Sequence, residues 1–286
     1  MNSISRSLNA GTIAATARML RSAKKEVILI VEGDHDIALF SNSLSLPRSN
    51  FISCFGKERL MAVFGLVPHA GLDAGTILLR DSDCDALQSQ RCGDVLLLTS
   101  DLYDFEMSLL PRRVFGRIFS EFMKTKASPE LTNASFERIL ASASLVGALR
   151  LLSHRDGLNL DFKEAAYSFI NAKDLISDVD EMVRYFFARS KVAIIDRSSV
   201  AVKLKQIVDE AKAAIEITSG KDFLRVLSIA LNRYFRCCNA NECTFETLSR
   251  MFRITVTHDD IQELALYPLL REQVNSSHFE WKGVPL

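Results

Sequence analysis

The chain has no apolar run near the roughly 18 residues needed to cross a bilayer, so it is not expected to span a membrane. Its six cysteines (Cys54, Cys84, Cys92, Cys237, Cys238, Cys243) show no paired CxxC spacing, and no secretory apolar stretch precedes them. Neither a zinc module nor a disulfide framework is signalled, and reduced thiols in a cytoplasmic setting are expected. Net charge is also missing: 35 Lys and Arg balance 35 Asp and Glu. That balance excludes a protein working by bulk positive charge, and any nucleic-acid contact has to be local. Between Pro129 and Pro268 there is no proline at all, which leaves a long interval free to be helical.

A chain of 286 residues can bury one large core or two ordinary ones. Residues 1–25 carry Arg6, Arg18, Arg21, Lys24 and Lys25 with no acid, and read as an amphipathic helix leading into the first strand. From Val27 to Leu110, apolar runs alternate with helix signals. "VILIV", "FISCF", "TILLR" and "DVLLL" are strands, and Asp34 is placed to cap the helix after the first. Strands apolar throughout imply a mostly parallel α/β sheet flanked by helices, with ligands gathering at its carboxyl ends. Stretches such as "SFERILASASLVGALRLL" and "SVAVKLKQIVDEAKAAI" make the rest mainly α-helical, with breaks at Gly157 and Gly220. The expected division is residues 1–110 and 111–286. Apolar positions between Phe136 and Leu270 exceed what one thin layer would bury, which points to a dimer or partner interface.

Acids crowd at two strand ends. "VILIVEGDHD" places Glu32, Gly33, Asp34 and Asp36 after the first strand, and "TILLRDSDCD" places Asp81, Asp83 and Asp85 after a later one. If the chain stays extended there, Asp81, Asp83 and Asp85 project to one side. Carboxylates on neighbouring parallel strands repel unless a cation lies between them, and hard oxygens of this kind suit Mg²⁺ or Mn²⁺. Gly33 would let a substrate backbone or phosphate approach closely.

Strand, "VEGDHD", helix, strand, helix, strand, "DSD" resembles the Toprim domain of topoisomerases, primases and overcoming-lysogenization-defect nucleases, over about the first 110 residues. The resemblance implies a Toprim-like sheet in which Glu32, Asp81 and Asp83 bind divalent metal and support phosphodiester cleavage or transfer. Asp36 and Asp85 join the candidate metal set. "LLLTSDLYDFEMSLL", with Asp101, Asp104 and Glu106, and "TSGKDFLRVLSIAL", with Gly220, Lys221 and Asp222, are similar to a Toprim subgroup that includes the nuclease effectors of PARIS anti-phage systems. That likeness implies an effector working beside an ABC-type ATPase, active as a homodimer, that cleaves host transfer RNA (tRNA) once released. It also implies that Lys221 neutralises charge on the phosphate. Glu106 either completes the acid cluster or favours the N-terminus of its own helix.

For substrate contact, "PRRVFGRIFSEFMKTK" carries Arg112, Arg113 and Arg117 among phenylalanines, and "LNRYFRCC" sets Arg233 and Arg236 around Tyr234 and Phe235. Either the cations track phosphates while the rings stack bases, or the rings face a core and the arginines form its solvated side. His35 lies in the turn after Gly33, as a general base or as an ordinary exposed residue. His154, His258 and His278 lack ligand spacing, and "CCNANEC" reads as a small-residue turn. A nuclease of the same fold acting on DNA, and a catalytically idle Toprim binding module, are the competing readings.

Overall fold

In the computed structural model, residues 9–83, 96–192, 197–210 and 214–286 are described. By internal contact the chain forms two compact units, Met1–Asp101 with Arg253–Leu286, and Leu102–Phe252.

The first unit is organised by a strand that cannot satisfy itself. β1 (Ile28–Val31) is buried along its whole length. Its backbone groups need strands on both edges, and its side chains need cover on both faces. β2 (Phe51–Ser53), β3 (Thr76–Arg80) and β4 (Leu97–Thr99) complete an all-parallel sheet of four strands in the order β2-β1-β3-β4. The register sets Ile30 between Ile52 and Leu78. On one face the helices Ala10–Lys24 and Lys57–Leu66 bring Ile13, Ala17, Leu60 and Val63 onto Ile28, Ile30, Leu78 and Leu97. The helices Asp34–Ser43 and Leu266–Ser276 pack on the sheet as well, contributing the fully buried Phe40 and Leu270. Burying the four β1 side chains is worth at most about 6–12 kcal/mol, comparable to the net stability of a whole domain. A polar residue in β1 would therefore cost a large share of the unit's stability.

The division expected at 110/111 assigned residues 253–286 to the helical region, whereas by contact they rejoin the sheet unit. Besides the packing of Leu270, they do so through backbone: Val27 N–H donates to Glu280 O (3.0 Å), Glu280 N–H to Lys25 O (2.9 Å) and Val284 N–H to Leu44 O (2.8 Å). Phe279 fills the space beside Gly75, with Arg21 over its ring at 4.9 Å.

The second unit is built round the helix Pro129–Arg155, whose start is capped by Ser128 Oγ accepting from Leu131 N–H. From Ile139 to Ser153 it is buried at nearly every position, as a helix surrounded by others must be. Its small residues let neighbours close in: a Cβ on Gly147 would lie 2.0 Å from Ile217 O. The helices Arg197–Glu210, Ala214–Ile217 and Gly220–Ile229 pack along it. Phe105–Leu109 leads through a π-helical turn, Leu110–Val114, into Phe115–Phe122. Much of the apolar surplus that suggested an interface is therefore buried inside this unit. Gly157, at φ 64°, follows the end of the central helix as expected.

Gly75→Ala is expected to destabilise the protein by about 2–4 kcal/mol in urea unfolding, because the new methyl meets strain and overpacking together. Gly75 has φ 73°, and its Cβ would fall 2.3 Å from the Phe279 ring. Gly71→Ala, also at positive φ (62°) but with nothing within 4 Å, isolates the backbone part and should cost less.

Candidate functional site

The strand order β2-β1-β3-β4 means that the chain leaves β1 toward one edge of the sheet and returns to β3 on its other side. In open α/β sheets the crevice beyond such a reversal is where ligands bind. β1 runs directly into Glu32 and β3 into Asp81, with Val31 paired to Leu79. The Asp81 N–H donates to Glu32 Oε1 at 3.1 Å, and among the described residues no other hydrogen bond reaches that carboxylate. Burial first, and the charge of Asp83 second, push the Glu32 carboxyl up to about 7, against the lowering effect of the Asp81 N–H, Lys57 and Arg80.

Asp83 arrives by a different route from the one alternation predicts. Its φ is 48°, so the chain leaves the extended conformation there and turns. Ser82 N–H donates to Ser100 Oγ (2.8 Å) and Ser100 N–H to Arg80 O (3.0 Å), which fixes the turn against the end of β4. The Asp83 carboxylate meets Lys57 Nζ at 2.8 Å, each side chain about a third exposed (36% and 33%). Asp85 lies outside the described residues.

The residues after β2 are tied to the end of β1: Cys54 N–H donates to Val31 O and Gly56 N–H to Glu32 O, both at 2.9 Å. This tie delivers Lys57, the first residue of its helix, to the acids. It also holds Phe55 at φ 55° and 42% exposed, and a bulky residue in that conformation costs about 1–3 kcal/mol. Gly56, at φ 129°, occupies a conformation open only to glycine. Arg80 ends β3 almost fully buried, its Nη1 against Met61 Sδ at 3.5 Å. Beneath the site, burial and then the charge of Glu32 push the Cys54 thiol up to about 12.

The helix after β1 starts one residue earlier than expected. Gly33, not Asp34, is the N-cap, and the Asp36 carboxylate closes the turn by accepting Gly33 N–H at 2.9 Å. Asp36 thus has a local role. His35 is exposed within that helix. A Cβ on Gly33 would meet only Asp36 Oδ2 at 3.9 Å, so the protein's own packing does not require glycine there.

Glu106 and Lys221 belong to the second unit, where they adjoin Asp104. The Asp104 carboxylate accepts Gly220 N–H (2.8 Å), Ser219 Oγ–H (3.0 Å) and Met107 N–H (2.8 Å). Burial and the nearby Glu106 push its carboxyl up. Gly220 is required here, since a Cβ would stand 2.2 Å from Glu106 Cβ. Asp222 is buried, paired with Arg150 Nη2 at 2.7 Å and accepting Tyr167 Oη–H at 2.5 Å. Two members of the "GKD" motif therefore build the fold, leaving Lys221 exposed between them. Glu106 sits in the first turn of its helix, nearly fully buried.

Phe115 and Phe119 are buried, stacked at 5.3 Å between centroids, so these rings face a core rather than bases. Arg113 and Arg117 are exposed on the same stretch, and the Arg112 side chain lies outside what is described. Arg233 and Arg236 are exposed too. His258 packs edge-on against Tyr267 at 5.7 Å. The cysteines of "CCNANEC" form a turn, with Cys243 Sγ against Asn239 O at 3.3 Å.

Among the described residues no group of three or more His, Cys, Asp and Glu side chains converges closely enough to hold a metal ion as it stands. The donor chemistry at the crevice nevertheless fits a hard divalent cation, being carboxylate oxygen. Burial first and the charge of Asp83 second disfavour the ionised Glu32 carboxylate by more than Lys57 and Arg80 offset, and a cation would relieve both. Lys57, Arg80 and Phe55 were not singled out in the sequence. The signal for Phe55 and Lys57 in the sequence is "CFGKE", a Gly-Lys step opening a helix after a strand, of the same kind as the "SGKD" step. Compared with protein-family models, curated proteins and solved structures, the chain matches none.

Because the folded Glu32 binds its proton more tightly than the usual 4.5, the stability this gives is complete below about 4.5 and is lost as pH rises through about 7. Glu32→Gln should flatten that part of the stability profile, measured as urea midpoints on both sides of the window. In metal-free buffer above the window it should be more stable than the parent.

Proposed function

We propose that this chain is a Mg²⁺- or Mn²⁺-dependent phosphodiesterase of the Toprim type, a nuclease effector of anti-phage defence that cleaves host tRNA after release from an ABC-type ATPase. The observation that carries the catalytic part is the meeting of Glu32 with the Asp81–Asp83 turn at the reversal point of a parallel sheet. The defence setting, the ATPase and tRNA come from the resemblance of the "VEGDHD", "DSD" and "SGKD" stretches.

Glu32, Asp81 and Asp83 are the residues that would hold the cation, which when bound supplies polarisation of the scissile phosphate and a more acidic water. The other duties fall to side chains near the acids. Lys57, about a third exposed and on the helix that opens beside the acids, is placed to neutralise charge building on a phosphate oxygen. Lys221 holds the same duty by resemblance. Arg80 adds a buried positive charge that favours ionised Glu32. Gly33 leaves room above the acids for a substrate backbone. Phe55 offers an exposed ring beside Lys57 on which an unpaired base can stack.

One observation favours a second reading. The Lys57–Asp83 ion pair already provides a positive charge among the acids, as in a binding module that needs no metal. The two readings separate in a melting experiment. Under the nuclease reading Mg²⁺ raises the Tm of the parent and not of Glu32→Gln, whereas under the other it moves neither. Incubating the protein with Mg²⁺ and either total tRNA or plasmid, with Glu32→Ala as control, tests the substrate. tRNA fragments produced by the parent alone are expected, and cleavage of plasmid alone would reject the tRNA assignment.

Gly33→Ala should leave the Tm nearly unchanged, since the methyl meets nothing closer than 3.9 Å, and reduce cleavage at least tenfold. Normal cleavage by that variant would remove Gly33 from the substrate path.

A further inference from the structure

The second unit contains a cleft of about 470 Å³ lined by Ala172, Lys173, Arg233, Tyr234 and Arg236, a size suited to a nucleotide-scale ligand. Arg138 stands at its rim, its Nη1 donating to Tyr234 Oη and its guanidinium 5.4 Å from the ring centroid. Four cations thus surround one half-buried tyrosine in a chain of zero net charge.

None of the four is ion-paired with a carboxylate of the described residues, whereas elsewhere in the same unit Arg150, Arg155, Arg189 and Lys203 each hold one. The acid next to Lys173 is turned away: Asp174 accepts Ile176 N–H (3.0 Å) and Asn171 Nδ2–H (3.3 Å) within its own loop. Glu137, beside Arg138, lines a different cleft with Phe115 and Phe136. A surface meant only for solubility intersperses charges of both signs. Here one sign is concentrated in a concavity, which focuses the field on an anion.

The backbone departs from regular geometry at the same place. The helix Gly220–Ile229 passes into a π-helical turn over Ala230–Tyr234, with Phe235 N–H donating to Ala230 O at 2.8 Å. Such turns recur at functional sites. Arg236 then adopts φ 52°, uncommon for a non-glycine residue. Phe235 anchors the turn by packing edge-on against Phe119 at 5.2 Å. Arg233 and Arg236 are left outward on either side of that anchor.

We infer that this cleft binds the phosphate backbone of a nucleic-acid strand, with Lys173, Arg233 and Arg236 on successive phosphates and Arg138 holding Tyr234 in place. The choice of nucleic acid over another phosphorylated polymer rests on the phosphodiesterase reading above. All the residues lining the cleft are in the second unit.

The test is fluorescence anisotropy of a labelled single-stranded oligonucleotide of mixed sequence, in EDTA so that nothing is cut, across a salt series. Lys173→Gln/Arg233→Gln/Arg236→Gln should bind at least tenfold more weakly. Its slope of log K against log salt should be shallower by about 2, since each single-strand phosphate contact contributes about 0.7. The single reversal Lys173→Glu, in an exposed loop away from the π-helical turn, should weaken binding without changing the melting temperature. Unchanged affinity and slope in the triple variant would overturn the inference, as would equal competition by a phosphoserine peptide at matched phosphate concentration. Glu32→Gln should bind like the parent and fail to cut. If it cuts normally while the cleft variants lose binding, the active-site assignment fails and the cleft stands.

Discussion

Negative charge held out of water at the ends of two adjoining strands is the constraint on which the first unit turns. Glu32 is placed by β1, Asp81 by β3, and the Asp81 N–H reaches Glu32 Oε1 because the strands are in register. Loss of hydration first, and repulsion from Asp83 second, act against the ionised carboxylate, and Lys57 and Arg80 offset only part of it. A fold tolerates such an arrangement only when the surrounding packing is strong, and the fully buried β1 beneath it supplies that packing.

Much of this was legible in the chain. A parallel strand covered on both faces has to be apolar at every position, so "VILIV" and "TILLR" declared themselves, and acids just beyond them were bound to sit at the carboxyl edge. The path through "DSD" was not legible, because alternation assumes extended backbone and Asp83 is left-handed. The helix cap was misplaced by one residue for a related reason: Asp34 has the chemistry of a cap, but the turn is closed from within by Asp36 reaching back to Gly33. The return of residues 253–286 to the sheet was only half legible: Leu266, Leu270 and Val274 recur at helical spacing, but that spacing names no partner, and the hydrogen bonds run between backbone atoms of Lys25, Val27 and Glu280.

The two Gly-Lys steps teach a complementary lesson. In "SGKD" the glycine is needed for the approach of Glu106 and the aspartate is committed to Arg150 and Tyr167. In "CFGKE" the glycine is needed for its own dihedral and the lysine reaches an acid of the crevice. The same letters answer to packing in one place and to electrostatics in the other, and only coordinates separate them. Part of the apolar surplus of the helical half answers to packing as well, while Ile176 and Val202 stay exposed. A helix enclosed by others, as Pro129–Arg155 is, consumes apolar surface on every side rather than along a stripe.

The returning C-terminal segment has a temporal consequence. Glu280 pairs with the residues just ahead of β1, and Phe279 fills the place beside Gly75 at the entry to β3. A nascent polypeptide emerging from the ribosome therefore cannot finish the unit that carries Glu32 until residues 253–286 have been made. The helical unit, contiguous in sequence, is free to form beforehand. Vectorial synthesis thus completes the sheet unit last.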